Sequence, residues 1–315
     1  MRYGFGVDLG GTTVKLAYFN SDGYLLDKWE IPTGKQNHGE GILPDIAASI
    51  RQYLDQRLIP NSRIFGIGIG VPGPVDQDGT VHGCDNLGWG TFNVQKELSR
   101  LTGFPVMAGN DANVAALGEC WKGGGQGYSD LVMVTLGTGV GGGIILGGKP
   151  LFGVRGCAGE LGHMVLCREE TEQCGCGKCG CVEQYCSATG VVRLAKRYLE
   201  KNSCDSILRQ TASLTCKDVF DAAGAGDPAA AAVLQQYYSL LGEFLSNLCV
   251  VLDPQVIVLG GGVSKAGKVL LDGVAPHFRH HAFRGVTDTK ITLAKLGNDA
   301  GAYGAFRLAL QSFYE

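Results

Sequence analysis

Residues 5–19 are FGVDLGGTTVKLAYF, and this stretch decides the fold. An apolar run at 5–7 ends at Asp8, a turn rich in Gly and Thr follows at 10–13, and a second apolar run begins at once and extends from 14 to 19. Two such runs joined by a glycine turn predict a β-hairpin. The chain is therefore predicted to begin with a β-hairpin.

The elements after the hairpin occur in an order that is used twice. In the first half they are a third strand over Tyr24 to Ile31, a helix over Gly41 to Leu58 and a strand over Ile64 to Gly70. In the second half they are a strand over Leu131 to Leu136, a turn at Gly137 to Gly139, a strand over Gly142 to Leu146, a helix over Ala229 to Leu252 and a strand over Val256 to Leu259. This repetition predicts an internal duplication with one insertion, which contains a cysteine cluster.

A duplicated hairpin, third strand, helix and strand resembles the actin-like, ribonuclease H-like ATPases. The resemblance implies an α/β fold with two βββαβα lobes around a nucleotide cleft. It also implies an N-terminal lobe of residues 1–115 plus about 300–315, with a final helix over 300–313 that packs back on this lobe. The C-terminal lobe is then 116–299 and carries the insertion, for which we predict zinc binding.

The composition excludes several classes of function. The net charge is −3 without any Lys/Arg block, which argues against nucleic acid as a partner. We find neither a secretory signal nor an apolar stretch long enough to span a bilayer, so we expect a cytoplasmic protein without a membrane partner. Four of the twelve cysteines lie within eight residues, which favours metal ligands over disulfides. The 50 glycines suggest that the backbone approaches a ligand at several places.

Two glycine-rich segments match known nucleotide-binding motifs only in part. Residues 137–142 fit G-x-G-x-x-G, but the following residues 143–150 are too few and too rich in Gly for the helix that a dinucleotide site needs. Residues 262–268 have P-loop spacing, but Val269 stands where Ser or Thr would hold Mg²⁺. We therefore reject both a dehydrogenase and a P-loop interpretation.

The actin-like plan gives these glycine turns another role. Their backbone N–H groups and hydroxyls can bind the triphosphate of ATP, while the Gly-rich strand end at 261–262 lets adenosine lie close. Asp8 can hold Mg²⁺ through water, and Lys15 can offset phosphate charge. The predicted ATP-contacting residues are Asp8, Gly10, Gly11, Thr12, Thr13, Lys15, Thr138, Gly139, Gly261 and Gly262.

Asp111 is the candidate catalytic residue. A short strand over 105–109 precedes Asn110 and Asp111, and a helix is predicted over 112–122. The carboxyl end of a strand is where open α/β sheets place ligands, and a carboxylate there can accept the proton of an attacking hydroxyl. An Asn-Asp pair before a helix is also a common helix cap, so the residues alone leave both roles open.

Five motifs in order make the resemblance specific. They are Asp8 to Thr12, Gly109 to Asn113, Leu136 to Gly143, Glu160 to His163, and the segment from Cys174 to Glu183. From about residue 5 to 310 the chain is similar to the ROK family of bacterial sugar kinases and repressors. The resemblance implies ATP-dependent phosphorylation of a hexose, most simply glucose, by a homodimer with Asp111 as general base. The sugar contacts that it implies are Asn86, Asn110, Asp111, Glu160, His163 and Glu183.

The cysteine cluster predicts a zinc site. Cys174, Cys176 and Cys181 supply three thiolates, and His163 lies eleven residues upstream, which together give a Cys₃His set. Cys179 is a fourth thiol in the same loop, so spacing alone also allows an all-cysteine site. The family pattern favours His163, and we expect a structural zinc that fixes the loops presenting the sugar-binding carboxylates.

Other activities share these motifs. N-acetylmannosamine kinases and other kinases of hexoses or N-acetylhexosamines are the main alternatives. A sugar-responsive repressor of the same family is a second one, but such repressors carry an N-terminal helix-turn-helix, and here the first predicted strand begins by residue 5. We therefore expect a kinase.

Overall fold

The computed structural model describes residues 1–314 and divides into two compact units. The first unit comprises Met1–Ser129, Gly143–Gly159 and the chain from Leu296 onward. The second unit comprises Asp130–Gly142 and Glu160–Lys295. Among the described residues no helix is both long and apolar enough to cross a membrane.

Strands and helices follow in chain order. The strands are β1 Tyr3–Leu9, β2 Thr13–Asn20, β3 Leu25–Pro32, β4 Ile64–Val71, β5 Thr80–Cys84, β6 Trp89–Asn93, β7 Val106–Asn110, β8 Leu131–Leu136, β9 Val140–Leu146, β10 Lys149–Pro150, β11 Val256–Gly260 and β12 Lys290–Leu293. The helices are α1 Gln36–Gly39, α2 Ile42–Gln56, α3 Val94–Thr102, α4 Asp111–Lys122, α5 Glu183–Cys186, α6 Ala188–Lys201, α7 Cys216–Gly224, α8 Pro228–Leu252, α9 Lys268–His281 and α10 Ala300–Phe313.

The two large sheets have the same topology. One has the strand order β3-β2-β1-β4-β7, and the other has the order β10-β9-β8-β11-β12. In the first sheet β2 is antiparallel to β1 and β3, while β4 is parallel to β1 and β7. In the second sheet β11 is parallel to β8 and β12, and β10 is antiparallel to β9. The predicted α/β fold and its duplication are therefore confirmed.

The glycines of the first sheet serve helix packing. β4 is buried at all eight positions and alternates Ile and Gly along Ile67 to Gly70. A Cβ on Gly68 would lie 1.6 Å from the Ala305 carbonyl oxygen, so this glycine lets α10 rest directly on the sheet. A Cβ on Gly304 would lie 1.5 Å from the Val114 carbonyl oxygen, where α10 meets α4. Gly68 and Gly304 thus bring helix and strand backbones together, a role for glycine that the sequence analysis did not predict.

Helix α4 belongs to the first unit because it packs on α10. The sequence analysis placed the lobe boundary after residue 115, whereas the first unit extends to Ser129 and also contains Gly143–Gly159. Several elements had no sequence prediction, namely α1, the β5–β6 hairpin, α3, β10, α5, α6, α7 and β12. Helix α9 follows the glycines at 260–262 after one 3₁₀ turn, Val263–Ala266.

Candidate active site and metal centre

Asp111 lies where β7 ends and α4 begins. The Asn110 Oδ1 caps this helix by accepting hydrogen bonds from the N–H groups of Ala112 at 3.0 Å and Asn113 at 3.2 Å. The Asn110 Nδ2 donates to the Gly73 carbonyl at 3.0 Å, so both ends of the amide hold the strand end in place. Asp111 is therefore carried on a fixed backbone at a helix N-terminus, where negative charge is stabilised.

The end of β5, just before Asn86, packs near the end of β7. The Gly73 carbonyl accepts a hydrogen bond from Asn110 Nδ2, and a Cβ on Gly73 would lie 3.4 Å from Cys84 Cβ. Asn86 is exposed in the 3₁₀ turn Asp85–Leu87, which directly follows β5. Burial raises the pKa of the Cys84 thiol, backbone N–H groups of Leu87 and Asn86 oppose this effect, and the Asp111 carboxylate adds to it. Asp111 and Asn86 belong to the same unit, and Asn110 is buried with its amide occupied as a cap.

The turn between β1 and β2, predicted to bind phosphate, is closed by one backbone hydrogen bond. The Gly10 N–H donates to the Thr13 carbonyl at 3.0 Å, which closes the turn and leaves Thr12 exposed. Asp8 and Lys15 are opposite each other in the hairpin, with Lys15 Nζ 3.5 Å from Asp8 Oδ2. Burial raises the pKa of Asp8, and the Lys15 ammonium opposes this rise. A metal cation would favour the charged form of this carboxyl in the same way.

The corresponding turn of the second unit holds Glu183. The Val140 N–H donates to Glu183 Oε2 at 3.0 Å, and a Cβ on Gly139 would lie 2.2 Å from the same oxygen. Glycine at 139 therefore leaves the space that the Glu183 carboxylate occupies. The Thr138 carbonyl accepts a hydrogen bond from Thr189 Oγ1 at 2.8 Å, which ties the turn to the start of α6. Sequence reasoning missed Thr189, for which no motif gave a signal.

A cavity beside Thr138 was also missed by sequence reasoning. It has a volume of ≈ 640 Å³ and lies wholly within the second unit. Its lining combines the apolar side chains of Val192 and Leu214 with the polar side chains of Thr189 and Lys196. A cavity of this size and mixed character is typical of a small-molecule site.

Four side chains of the second unit converge in a cluster. Their ligand atoms all lie within 4.8 Å of one another, and the four residues are His163, Cys174, Cys176 and Cys181. Cys176 Sγ is 3.6 Å from Cys181 Sγ, and Cys174 Sγ is 3.9 Å from His163 Nδ1. Cys179 lies outside the cluster, with its thiol directed to the Thr171 carbonyl at 3.6 Å. His163, and not Cys179, therefore lies together with the three thiols.

These four donors fit a tetrahedral zinc ion. Zn–S bonds of about 2.3 Å in a tetrahedron place two sulfurs about 3.8 Å apart, close to the separations found here. Burial raises the pKa of the Cys174 thiol and raises that of Cys181 to about 12, whereas a hydrogen bond from the Lys178 N–H lowers the pKa of Cys176. A bound cation would supply the charge that keeps such buried thiols deprotonated.

The cluster is adjacent to two of the predicted sugar contacts. His163 uses Nδ1 toward the thiols, while its Nε2 lies 3.9 Å from Glu160 Oε2. Cys174 Sγ lies 3.6 Å from Glu183 Oε1. The cluster therefore joins the segments that carry the Glu160 and Glu183 carboxylates.

An ion-pair network holds the same segment from another side. The Glu170 side chain is only 2% exposed and forms ion pairs with Arg193 at 2.6 Å and Arg197 at 2.9 Å, and it also accepts a hydrogen bond from the Tyr185 hydroxyl. The Arg197 guanidinium, above all, holds the pKa of Glu170 well below its ordinary value. Glu172 pairs with the same two arginines. Sequence reasoning missed this network, because nothing in the sequence pairs residues 170 and 193.

Two sheets with one strand order, each with a glycine turn in its hairpin, define the actin-like ATPase fold. The ROK family model matches residues 4–312, and the chain belongs to this family.

Relatives cover nearly the whole chain. A glucokinase of Halalkalibacterium halodurans is 43% identical over 98% of this chain and 96% of its own. An N-acetylgalactosamine kinase of a Shewanella species is 35% identical over 96% of this chain and 94% of its own. Among solved structures, the chain is similar to a ROK family glucokinase from Streptomyces griseus, crystallised in complex with glucose and AMPPNP. The two sequences are 33% identical, the match covers 98% of this chain and 99% of the glucokinase chain, and the TM-score is 0.74.

Proposed function

We propose that the protein transfers the γ-phosphate of ATP to glucose and forms glucose 6-phosphate. The observation that carries this proposal is the placement of Asp111 at the carboxyl end of β7 and the N-terminus of α4. The glucokinases among the relatives support glucose as the substrate.

The Asp111 carboxylate would accept the proton of the attacking sugar hydroxyl. As the proton leaves, the hydroxyl oxygen forms a bond to the γ-phosphorus of ATP, and the bond from this phosphorus to the β-γ bridging oxygen breaks to release ADP. The helix N-terminus beneath Asp111 favours its ionised state, which is the state that a base needs. Mg²⁺ bound with ATP would neutralise phosphate charge, with Asp8 as its candidate partner.

Further residues are assigned as ligand contacts. Asn86, Asn110, Glu160, His163 and Glu183 are proposed to hold sugar hydroxyls. Carboxylates accept hydrogen bonds from hydroxyls, and amides both donate and accept them. In Asn110, whose Oδ1 caps α4 and whose Nδ2 donates to Gly73, the second Nδ2 hydrogen is the proposed donor. The hairpin residues Gly10 to Thr13 and the turn Thr138–Gly139 are proposed to bind ATP. The ≈ 640 Å³ cavity beside Thr138 offers space for the nucleoside.

The His163, Cys174, Cys176 and Cys181 cluster is proposed to hold a structural zinc. Its four protein donors leave no open coordination position for a substrate, as in structural zinc sites. The proximity of Glu160 to His163 and of Glu183 to Cys174 supports a role in fixing those two carboxylates.

An N-acetylhexosamine is the second candidate substrate. The Shewanella relative, an N-acetylgalactosamine kinase at 35% identity, favours it. Glucose is preferred because the relative at 43% identity is a glucokinase.

A sugar panel tests the proposal. The purified full chain is incubated with ATP, Mg²⁺ and glucose, mannose, fructose or an N-acetylhexosamine, and ADP release is measured. We expect kcat/KM to be highest for glucose, with a product phosphorylated at the 6-position by phosphorus NMR. A higher kcat/KM for an N-acetylhexosamine would transfer the proposal to that substrate class, and ADP release that no sugar stimulates would overturn it.

A further inference from the structure

Lys35 stands over the first glycine turn without a partner of its own. A Cβ placed on Gly11 would lie 3.4 Å from Lys35 Nζ. Lys35 is exposed and makes neither a hydrogen bond nor an ion pair with residues 1–314. Lys15, by contrast, has its ammonium between Asp8 and the Asn298 carbonyl, at 3.5 and 3.1 Å. Lys35 is thus the less engaged of the two cations near this turn.

The backbone that carries Lys35 is fixed to the turn. The Thr33 N–H donates to the Thr12 carbonyl at 2.9 Å, and Thr33 Oγ1 donates to the Gly10 carbonyl at 2.8 Å. These two bonds join the residues after β3 to both sides of the turn. The position of Lys35 beside Gly11 therefore follows from the fold of the backbone.

The other end of this segment reaches the loop that carries Asn86. Asn37 and His38 both have left-handed φ, of 51° and 57°, a conformation that costs a non-glycine residue about 1 kcal/mol or more. The Trp89 indole Nε1 donates to the Gly39 carbonyl at 3.1 Å. Residues 33–39 therefore run from the proposed phosphate turn to the proposed sugar loop within the first unit. Backbone strain of this kind clusters at ligand clamps.

We propose that Lys35 contacts the phosphoryl group as it passes from ATP to the sugar. This inference rests on the proposed function and adds a residue to it. In phosphoryl transfer, negative charge is spread over three oxygens, and a cation already in place stabilises it without reorganisation. An unpaired ammonium between the phosphate turn and the sugar loop meets this need, since no protein carboxylate competes for it. Lys35 forms no covalent bond and exchanges no proton in this role.

Substitution of Lys35 by methionine keeps its length and removes its charge. In Lys35→Met we expect kcat to fall about 100-fold, as on removal of one donor to transition-state charge, with little change in the KM for glucose. Binding of AMPPNP should weaken about tenfold more than binding of ADP, because only the triphosphate analogue reaches the γ position. Lys35→Arg should recover part of both effects.

Lys96→Met is the matched control, since Lys96 is an exposed lysine of α3 in the same unit. It should leave kcat and both affinities unchanged. A Lys35→Met protein that keeps kcat within threefold, or that loses AMPPNP and ADP affinity equally, would overturn the proposal. The nucleotide titrations need no sugar, so they test Lys35 even if the sugar panel refutes the proposed function.

Discussion

The two sheets share one strand order but differ in their third strand. β3 has eight residues and leads into Thr33 and Lys35 beside the first glycine turn. β10 has two residues, and the chain after it runs toward Glu160 and the Cys/His cluster. The same five-stranded arrangement thus occurs twice, whereas the segments that follow the third strand of each sheet carry different functional residues. In this account the first unit supplies the catalytic base, and the metal cluster of the second unit fixes two of the sugar-binding carboxylates.

The largest effect is expected from Asp111→Asn. The amide cannot accept the proton of the sugar hydroxyl, so we expect kcat to fall about 10²- to 10⁴-fold. Affinity for glucose and for ATP should change little, because size and cap geometry are kept. ADP release and calorimetric titration measure the two effects.

Asp22→Asn is the control for Asp111→Asn. Asp22 is an exposed carboxylate in the β2–β3 turn, so its loss should not alter kcat. Near-normal turnover by Asp111→Asn would show that the base lies elsewhere.

Glu170→Gln tests whether the second unit depends on its ion pairs. The change leaves Arg193 and Arg197 without their buried partner, and since both arginines are partly exposed we expect a loss of about 1–3 kcal/mol in the free energy of unfolding. Denaturant titration at pH 7 measures it. Glu97→Gln removes an exposed ion pair with Arg100 and should leave stability nearly unchanged.

The stabilisation by Glu170 should also depend on pH. Because the folded pKa lies below the ordinary value of 4.5, the ion pairs contribute fully above that pH and lose their effect as the pH falls toward the folded value. The stability difference between wild type and Glu170→Gln should therefore be constant near neutrality and shrink below about pH 4.5. A difference that grows with acidity would contradict the assigned partners.

The smallest effect is expected from Gly139→Ala. The new methyl group would meet the Glu183 carboxylate at 2.2 Å and displace it. We expect the KM for glucose to rise about fivefold, equivalent to about 1 kcal/mol, with kcat less affected. Gly224→Ala, where an added Cβ meets nothing within 4 Å, should change neither parameter. An unchanged KM in Gly139→Ala would argue against a sugar contact by Glu183.

The main strands and the long helix were predictable because the sequence patterns that indicate them are local. The hairpin at β1 and β2, the buried strand β4 and the long helix α8 all follow from apolar runs bounded by glycine turns or by Pro228. The third strand of the second sheet, β10, could not be predicted, because the two residues Lys149–Pro150 are too few to show an alternating pattern.

The candidate site was predictable where ligands are close in sequence. The three thiols lie within eight residues, and their spacing alone indicated a metal site. Asp111 needed the family resemblance, since a helix cap has the same local pattern, and the structure indeed uses Asn110 as that cap. Lys35 had no sequence signal, because its place beside Gly11 depends on hydrogen bonds between segments far apart in the chain.

Metal removal tests the division of roles most directly. The protein is stripped with a chelator, loss of zinc is verified by elemental analysis, and glucose and ATP are titrated by calorimetry. We predict that glucose binding is lost and ATP binding is retained, and that glucose affinity returns to its starting value when zinc is added back. Unchanged glucose affinity after verified zinc loss would contradict the account.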